Sequence, residues 1–369
     1  MINIAFSCIT AFIITFLAIP SIIKVAVIKN LFDEPGGRKA HKSSIPTLGG
    51  LAIFAGVVFA FTFWSAGFNL QDTQYIIAAM TIIFFIGIKD DIVELPAIKK
   101  LYGQLIAAII IVLFANIRIT GLYGIFGIDQ VPYWFSILFS IFTIILIINA
   151  FNLIDGVDGL AAGIGAIAAF TYGIYFYNYN EIALCILSFT LFSSLLAFLV
   201  YNFAPANIFM GDTGSLLIGL ILSILTIKFI EMSFAPHPAD FPFQASPAMA
   251  IAILVLPLFD LLRVFCGTYS QQTFTLPCRQ IAHAPPVARY GTEPQRSFHD
   301  TLFGKHWIYS HCIGTAFHWC AQTFICHQHI SLAAEFGAIL SEISGRKRQG
   351  CSETGPLISL KFPDIASLT

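Results

Sequence analysis

The sequence predicts an all-α fold, a polytopic bundle of transmembrane helices, and three observations predict it. Of the 369 residues, 57% are hydrophobic and 11% are charged, whereas soluble domains carry roughly 25% charged residues. The mean hydropathy is +0.82, and apolar windows long enough for one helical crossing recur along the chain. The alternation of apolar and polar residues that marks a membrane β-barrel is missing, which leaves helices as the spanning element.

Nine apolar windows precede residue 266 and define the predicted membrane core, 1–265. The first, INIAFSCITAFIITFLAIPSII, is too long for the apolar core of a signal peptide and is followed by no small-residue cleavage site, so we expect a retained span. The predicted spans lie at about 4–26, 48–68, 74–88, 101–117, 133–151, 160–178, 182–202, 213–231 and 246–262.

Basic residues are distributed unevenly between the two sides of this predicted bundle. With nine crossings, the loops that follow the odd-numbered spans share one side. Nine of the eleven Lys and Arg residues before residue 266 lie there, and only Arg118 and Lys228 lie on the other side. Since cytoplasmic loops carry the excess of Lys and Arg, this side is predicted to be cytoplasmic and the N-terminus to lie outside.

Acidic residues occur in every predicted cytoplasmic loop, although acids played no part in assigning the sides. In FNLIDGVDGL (151–160), two Asp-Gly pairs follow an apolar run with no basic residue nearby. The acids of these loops include Asp33, Glu34, Asp90, Asp91, Asp155, Asp158, Asp212 and Asp260. Carboxylates without matched protein cations favour Mg²⁺, which usually also binds substrate phosphates. The pattern therefore predicts one composite site in the cytoplasmic loops and suggests phosphoryl transfer onto, or from, a lipid.

Each polar cluster also has a purely structural interpretation. Asp212 is placed to cap the helix that follows it, and Asp90 with Asp91 fits an ordinary solvated helix end. The two Asp-Gly pairs favour turns. Arg38 and His41 in the first loop fit anchoring to anionic lipid as well as they fit a substrate site.

Five segments between residues 33 and 265 together resemble one enzyme family and occur in its order. The segments are DEPGGRKAHKSSIPTLGG (33–50), IGIKDDIVELPAIKKLYGQ (86–104), NAFNLIDGVDGLAAG (149–163), NIFMGDTGSL (207–216) and LPLFDLLRVF (256–265). Through them the chain resembles the polyprenyl-phosphate N-acetylhexosamine-1-phosphate transferases of glycosyltransferase family 4, bacterial enzymes that start cell-surface glycans such as O-antigen.

The resemblance implies a reaction and a role for each matching residue. A phosphate oxygen of undecaprenyl phosphate attacks the β-phosphorus of a UDP-N-acetylhexosamine, which yields the lipid diphosphate sugar and UMP. Catalytic roles fall on Asp90, Asp91, Asp155 and Asp158, with the base among the paired acids left open. Substrate-binding roles fall on Arg38, His41, Lys100 and Asn152. Asp212 and Asn152 are the implied ligands of Mg²⁺, or of Mn²⁺ in its place.

Several alternatives stay open at the level of the sequence. SIPTLGG (44–50) favours the branch that uses simple amino sugars such as GlcNAc, and the phospho-N-acetylmuramoyl-pentapeptide transferase is the runner-up. An ion-coupled transporter would carry its acids in the middle of spans, and a non-catalytic remnant is a third reading. The expected partners are UDP-N-acetylhexosamine, undecaprenyl phosphate and membrane lipid, with a homodimer as an option and no nucleic acid. The expected location is the bacterial inner membrane.

The last 104 residues differ in character from the rest of the chain. They contain six of the eight Cys and seven of the nine His, without recognisable zinc-ligand spacing. The Asp-Arg and His-x-His-His loop expected in the family is missing. Permitted codons for CRQIAHAPPVARYG (278–291), read one base later, encode Ala-Asp-Arg-Leu-His-Thr-His-His. We therefore hypothesise a frameshift near Cys266 and a poorly ordered tail over 266–369, whose loss of part of the substrate site could leave the chain inactive as written; gene sequencing tests the frameshift.

Overall fold

The computed structural model describes residues 2–29, 45–66, 72–122, 129–232 and 246–270. They belong to one compact unit, 1–284, and within them the chain forms ten α-helices and no strand. The helices are α1 Ile2–Ile28, α2 Gly49–Ser65, α3 Thr73–Ile92, α4 Ala97–Ile109, α5 Tyr133–Ile154, α6 Leu160–Asn178, α7 Ile182–Asn202, α8 Gly211–Met232, α9 Ser246–Ile253 and α10 Val255–Ser270. A π-helical turn, Ile110–Phe114, continues α4. The predicted all-α bundle is confirmed.

Each predicted span coincides with a helix, and the ninth coincides with the pair α9 and α10. Six described helices are long and apolar enough to cross a membrane: α1, α4 with its π-helical turn, α5, α6, α7 and α8. The pair α9 and α10, bent by 79°, adds a seventh if it forms one broken span. The protein is therefore a multi-pass membrane protein. Nine full crossings stay a prediction, because α2 has only 17 residues and α3 ends in the charged run Lys89 to Asp91.

Several predicted loop residues lie in helices. The helix α3 continues to Ile92 and α8 begins at Gly211, so Asp90, Asp91 and Asp212 occupy terminal helical turns and not loops. The prediction was wrong at these boundaries because hydropathy marks only the apolar part of a helix, whereas the polar terminal turn is still helical. Arg38, His41 and the tail from residue 271 onward lie outside the described residues, so their predicted roles stay predictions.

The helix α8 is the core of the bundle. Every residue from Asp212 to Ile227 is buried, and α8 contacts α2, α3, α5, α6, α7 and α9. Glycines on the neighbouring helices permit this close packing: a Cβ added to Gly50 of α2 would lie 2.1 Å from the backbone nitrogen of Gly214, and one added to Gly87 of α3 would lie 2.4 Å from Cα of Thr213. Small residues at such contacts let helix backbones approach in a membrane.

Backbone hydrogen bonds join the start of α2 to the start of α8. The amides of Gly49 and Gly50 donate to the carbonyls of Phe209 (3.0 Å) and Met210 (2.8 Å), and the Phe209 amide donates to Pro46 (2.8 Å). Gly211 follows with φ = +72°, a left-handed conformation that glycine adopts without steric cost. Together these contacts fix the first turn of α8, which carries Asp212.

Candidate active site

Lys100 connects two of the predicted acids. Its ammonium nitrogen lies 3.0 Å from Asp90 Oδ2 and 3.0 Å from Asp212 Oδ2. All three residues are buried, with exposed fractions of 5% (Asp90), 5% (Lys100) and 8% (Asp212). The expectation that no protein cation matches the acids is wrong for Asp90 and Asp212. The sequence concealed this contact because Lys100 is ten residues from Asp90 and in a different helix.

The charges among the side chains that surround Lys100 are not balanced. Lys100 provides one positive charge against the carboxylates of Asp90, Asp91 and Asp212, which lie at the same helix ends. Burial and the neighbouring Asp212 raise the pKa of Asp90. Burial raises the pKa of Asp91 to about 7, although hydrogen bonds from Thr213 oppose the shift. A further positive charge would favour the ionised form of both carboxyl groups.

Asp91 holds the first turn of α8. Its Oδ1 accepts a hydrogen bond from the backbone nitrogen of Asp212 (2.7 Å). Its Oδ2 accepts from the Thr213 backbone nitrogen (3.0 Å) and from Thr213 Oγ1 (2.5 Å). The first N–H groups of a helix have no partner within the helix. Asp91 therefore supplies, from α3, the cap that a side chain just before a helix usually provides.

Asn152 links α5 to the same cluster. Its side-chain amide donates to Asp212 Oδ1 (2.5 Å) and to Ser215 Oγ (3.0 Å), and its Oδ1 accepts from Lys100 Nζ (3.5 Å). The ammonium of Lys100 is thus surrounded by oxygens of three residues on three helices. The structure brings together Asp90, Asp91, Lys100, Asn152 and Asp212, five of the residues singled out in the sequence.

A second polar pair lies one helical turn away. Asn149 Nδ2 donates to Gln104 Oε1 (2.9 Å), and Gln104 Nε2 donates back to Asn149 Oδ1 (3.4 Å). Gln104 is 1% exposed. Sequence reasoning assigned no role to Gln104, Thr213 or Ser215. The sequence could have indicated Gln104, because this amide stands alone in an apolar helix. It follows Lys100 by four residues and therefore lies on the same face of that helix.

Asp155 and Asp158 lie at the end of α5 and in the turn that follows it. Asp155 is half-buried directly after the end of α5, one turn beyond Asn152. Asp158 Oδ2 accepts a hydrogen bond from the Ala206 backbone nitrogen (3.3 Å), so this carboxylate contacts the segment between α7 and α8. The next residue, Gly159, adopts φ = +72° and donates its N–H to Asn202 Oδ1 (2.9 Å). The structural interpretation of this Asp-Gly pair as a turn is therefore correct in part.

The donor atoms of the cluster fit a hard divalent cation in their chemistry. Asp90 Oδ2, Asp212 Oδ2 and Asn152 Oδ1 converge on one positive charge, the Lys100 ammonium, and Mg²⁺ selects carboxylate and amide oxygens. Within the described ranges, however, no three His, Cys, Asp or Glu side chains are grouped as a protein-only metal site. Mg²⁺ characteristically binds through one or two carboxylates and completes its shell with water and substrate phosphates. Asp212 and Asn152 are suited to that arrangement.

Comparison with known proteins places the chain in a family. The family profile described as Glycosyl transferase family 4 matches residues 73–230, which run from the start of α3 to two residues before the end of α8 and include the whole cluster. A probable undecaprenyl-phosphate N-acetylglucosaminyl 1-phosphate transferase of Bacillus subtilis (strain 168) is 35% identical over 264 residues, which is 68% of this chain and 69% of the relative. The chain belongs to glycosyl transferase family 4. The resemblance inferred from the five segments is thereby confirmed.

Two other relatives are transferases with different names. The phospho-N-acetylmuramoyl-pentapeptide-transferase of Lactiplantibacillus plantarum is 35% identical over 241 residues, or 59% of this chain and 73% of the relative. The undecaprenyl-phosphate alpha-N-acetylglucosaminyl 1-phosphate transferase of Escherichia coli (strain K12) is 28% identical over 246 residues, or 65% of this chain and 64% of the relative. Family 4 membership and the buried acid cluster together identify a phospho-sugar transferase.

Proposed function

We propose that this chain transfers N-acetylhexosamine-1-phosphate, with GlcNAc as the sugar, from a UDP-sugar to undecaprenyl phosphate and releases UMP. The observation that carries the proposal is the convergence of Asp90, Lys100, Asn152 and Asp212 in a chain with transferases of this kind among its relatives. In this reaction a lipid phosphate oxygen attacks the β-phosphorus, and the bond to the departing UMP breaks.

The cluster offers what phosphoryl transfer requires from a protein, namely position and charge. Mg²⁺ bound by Asp212 and Asn152 would neutralise charge on the transferring phosphates. Lys100 adds a positive charge that two carboxylates hold in place, and this charge would attract the phosphates of a substrate. Asp90 orients Lys100, and its own Oδ1 is fixed by the Leu95 backbone nitrogen (2.6 Å). Exposed Lys89 and Lys99 on the same helix ends would attract anionic substrates.

The proposed site faces the cytoplasm of a bacterial inner membrane. Asp90 and Asp91 follow the third predicted span, and Lys100 precedes the fourth, on the side with the excess of Lys and Arg. A UDP-sugar would reach the site from the cytoplasm, and undecaprenyl phosphate would reach it from the inner leaflet. The acids lie at helix ends and not in the middle of spans, which argues against the ion-coupled transporter.

UMP release from purified chain tests the proposal. The chain is incubated with undecaprenyl phosphate and either UDP-GlcNAc or UDP-N-acetylmuramoyl-pentapeptide, with Mg²⁺, with Mn²⁺ or with EDTA. A second version, with the reading frame restored after residue 265, is assayed in parallel because the tail is predicted to lack the histidine loop. We expect metal-dependent release with UDP-GlcNAc. Release with the pentapeptide substrate alone would favour the runner-up, and no release from either version with either donor would refute the enzyme reading.

A further inference from the structure

The two adjacent acids of α3 have different surroundings. Asp90 points to Lys100, whereas Asp91 points to the start of α8. Asp91 accepts three hydrogen bonds from two consecutive residues, Asp212 and Thr213. On Oδ2 both acceptor positions are used, and on Oδ1 one of the two is used. A general base needs a carboxylate oxygen that can reach the substrate proton, and Asp91 has already directed both oxygens at α8.

The start of α8 offers no local substitute for this cap. Met210 precedes Gly211, and a methionine side chain lacks the oxygen with which Ser, Thr, Asp and Asn cap a helix. A Cβ on Gly211 would lie 2.7 Å from Asp91 Oδ1 and 2.2 Å from the Thr47 carbonyl oxygen, so the carboxylate occupies space that only glycine leaves open. Sequence and geometry therefore both fit a carboxylate arriving from another helix.

We infer that Asp91 is a positioning residue, which caps α8 across the helix interface and thereby orients the Asp212 carboxylate, and that it is not the base of the reaction. The inference rests on the proposed function for the meaning of Asp212. Asp91 acts through the backbone of Asp212, whereas the Asp212 side chain contacts Lys100 and Asn152. Loss of the cap would let the first turn of α8 move, and the Asp212 carboxylate with it, although the side chains of Asp90, Lys100 and Asn152 are chemically unchanged.

A double-mutant cycle between Asp91→Asn and Thr213→Val tests this inference. Thr213→Val deletes only the hydroxyl that donates to Asp91 Oδ2. Thr226→Val is the matched control: the same substitution on the same helix, at a buried hydroxyl that contacts Tyr172 Oη (2.9 Å) far along α8 from Asp212. Three quantities are measured on the full chain: the unfolding temperature in metal-free detergent buffer, Mn²⁺ affinity without substrate, and kcat and KM for UMP release.

If Asp91 caps α8, Asp91→Asn and Thr213→Val each weaken Mn²⁺ binding several-fold, and the double variant is little worse than the poorer single variant. Thr213→Val then lowers kcat about tenfold with KM changed less than twofold. Asp91→Asn, which retains one acceptor oxygen, keeps more activity than Asp91→Ala, and Thr226→Val lowers the unfolding temperature only.

Other outcomes would overturn the inference. If Asp91 is the base, Asp91→Asn and Asp91→Ala are equally inactive while Thr213→Val is normal, and Mn²⁺ affinity is unchanged in all three. Additive losses of unfolding temperature in the double variant would show that Asp91 and Thr213 do not share one contact. The temperature and Mn²⁺ measurements need no turnover, so absence of UMP release would refute the proposed function without deciding the role of Asp91.

Discussion

Replacing Gly50 by alanine perturbs the site without touching any of its side chains. The new Cβ would lie 2.1 Å from the Gly214 nitrogen and 2.6 Å from Gly214 Cα, both backbone atoms that no rotamer change can move. Real Cβ atoms essentially never approach a heavy atom within 3.0 Å, so α2 and the first turns of α8 must separate by about 1 Å. Overpacking of this kind costs about 1–3 kcal/mol of stability.

The displaced turn is the one that carries Asp212. Because a misplacement of about 1 Å can lower the rate of an enzyme about 100-fold, we expect Gly50→Ala to reduce kcat for UMP release by that order. The unfolding temperature in detergent should fall as well. The measurements are initial-rate UMP release and thermal unfolding of the purified protein. They use either the chain as written or the chain with its reading frame restored after residue 265, whichever has the higher activity before substitution.

Gly163→Ala provides the matched control for this experiment. Gly163 lies inside α6, and a Cβ built on it meets nothing within 4 Å. Since alanine is favoured over glycine in a helix interior by about 1 kcal/mol, this variant should be as stable as the parent or more so, with unchanged kcat. Normal activity and stability in Gly50→Ala would refute the predicted link between this contact and the site. They would mean that α2 and α8 can separate without loss of stability or displacement of Asp212.

Three further predictions concern other contacts. Lys100→Met should abolish UMP release and lower the unfolding temperature in EDTA, since loss of one partner of a buried ion network costs about 3–5 kcal/mol. Mg²⁺ should restore part of the unfolding temperature by binding among the oxygens that Lys100 contacts. If Mg²⁺ restored nothing, these oxygens would not form a cation site. Gln104→Leu should lower kcat for UMP release, because it removes the hydrogen bonds between Gln104 and Asn149 that join α4 to α5. The exchanged pair, Gln104→Asn with Asn149→Gln, should restore kcat in part. Equal loss in the single and exchanged variants would show that these hydrogen bonds do not position α4 against α5 for activity. Tyr172→Phe, which removes a buried hydrogen bond to Thr226, should cost about 1 kcal/mol in unfolding and leave kcat unchanged.

Much of the fold could be predicted from hydropathy, because membrane crossing imposes a length and composition on each helix. The window 133–151 predicted α5 almost to its ends, and 182–202 matched α7 residue for residue. The failures lie where helices continue beyond the apolar core, as in α3 past residue 88. There the backbone stays helical for reasons of capping and tertiary contact, which a hydropathy window does not measure.

The candidate site could be predicted as a set of residues but not as a set of contacts. Acids at helix ends on one side identified Asp90, Asp91 and Asp212, and family motifs added Lys100 and Asn152. The sequence could not show that Lys100 bridges Asp90 and Asp212, because that contact depends on how α4 packs against α3 and α8. It also could not distinguish Asp90 from Asp91: adjacent residues on a helix point about 100° apart, and only the packed structure shows which partner each one meets.

The enclosure of α8 has a consequence for how the protein responds to its bilayer. The outer helix α1 exposes Ile2, Phe6, Ile9, Ile13 and Leu17, whereas α8 is surrounded by other helices along most of its length. Hydrophobic mismatch acts on lipid-facing helices, which tilt or draw the annular lipid in or out. A change in the acyl-chain length of the bilayer would therefore first tilt or displace the lipid-facing helices such as α1. It would reach α8, which carries Asp212, only through the helices packed around α8. Among the described candidate spans, the helix that carries Asp212 is therefore the one most shielded from the surrounding bilayer.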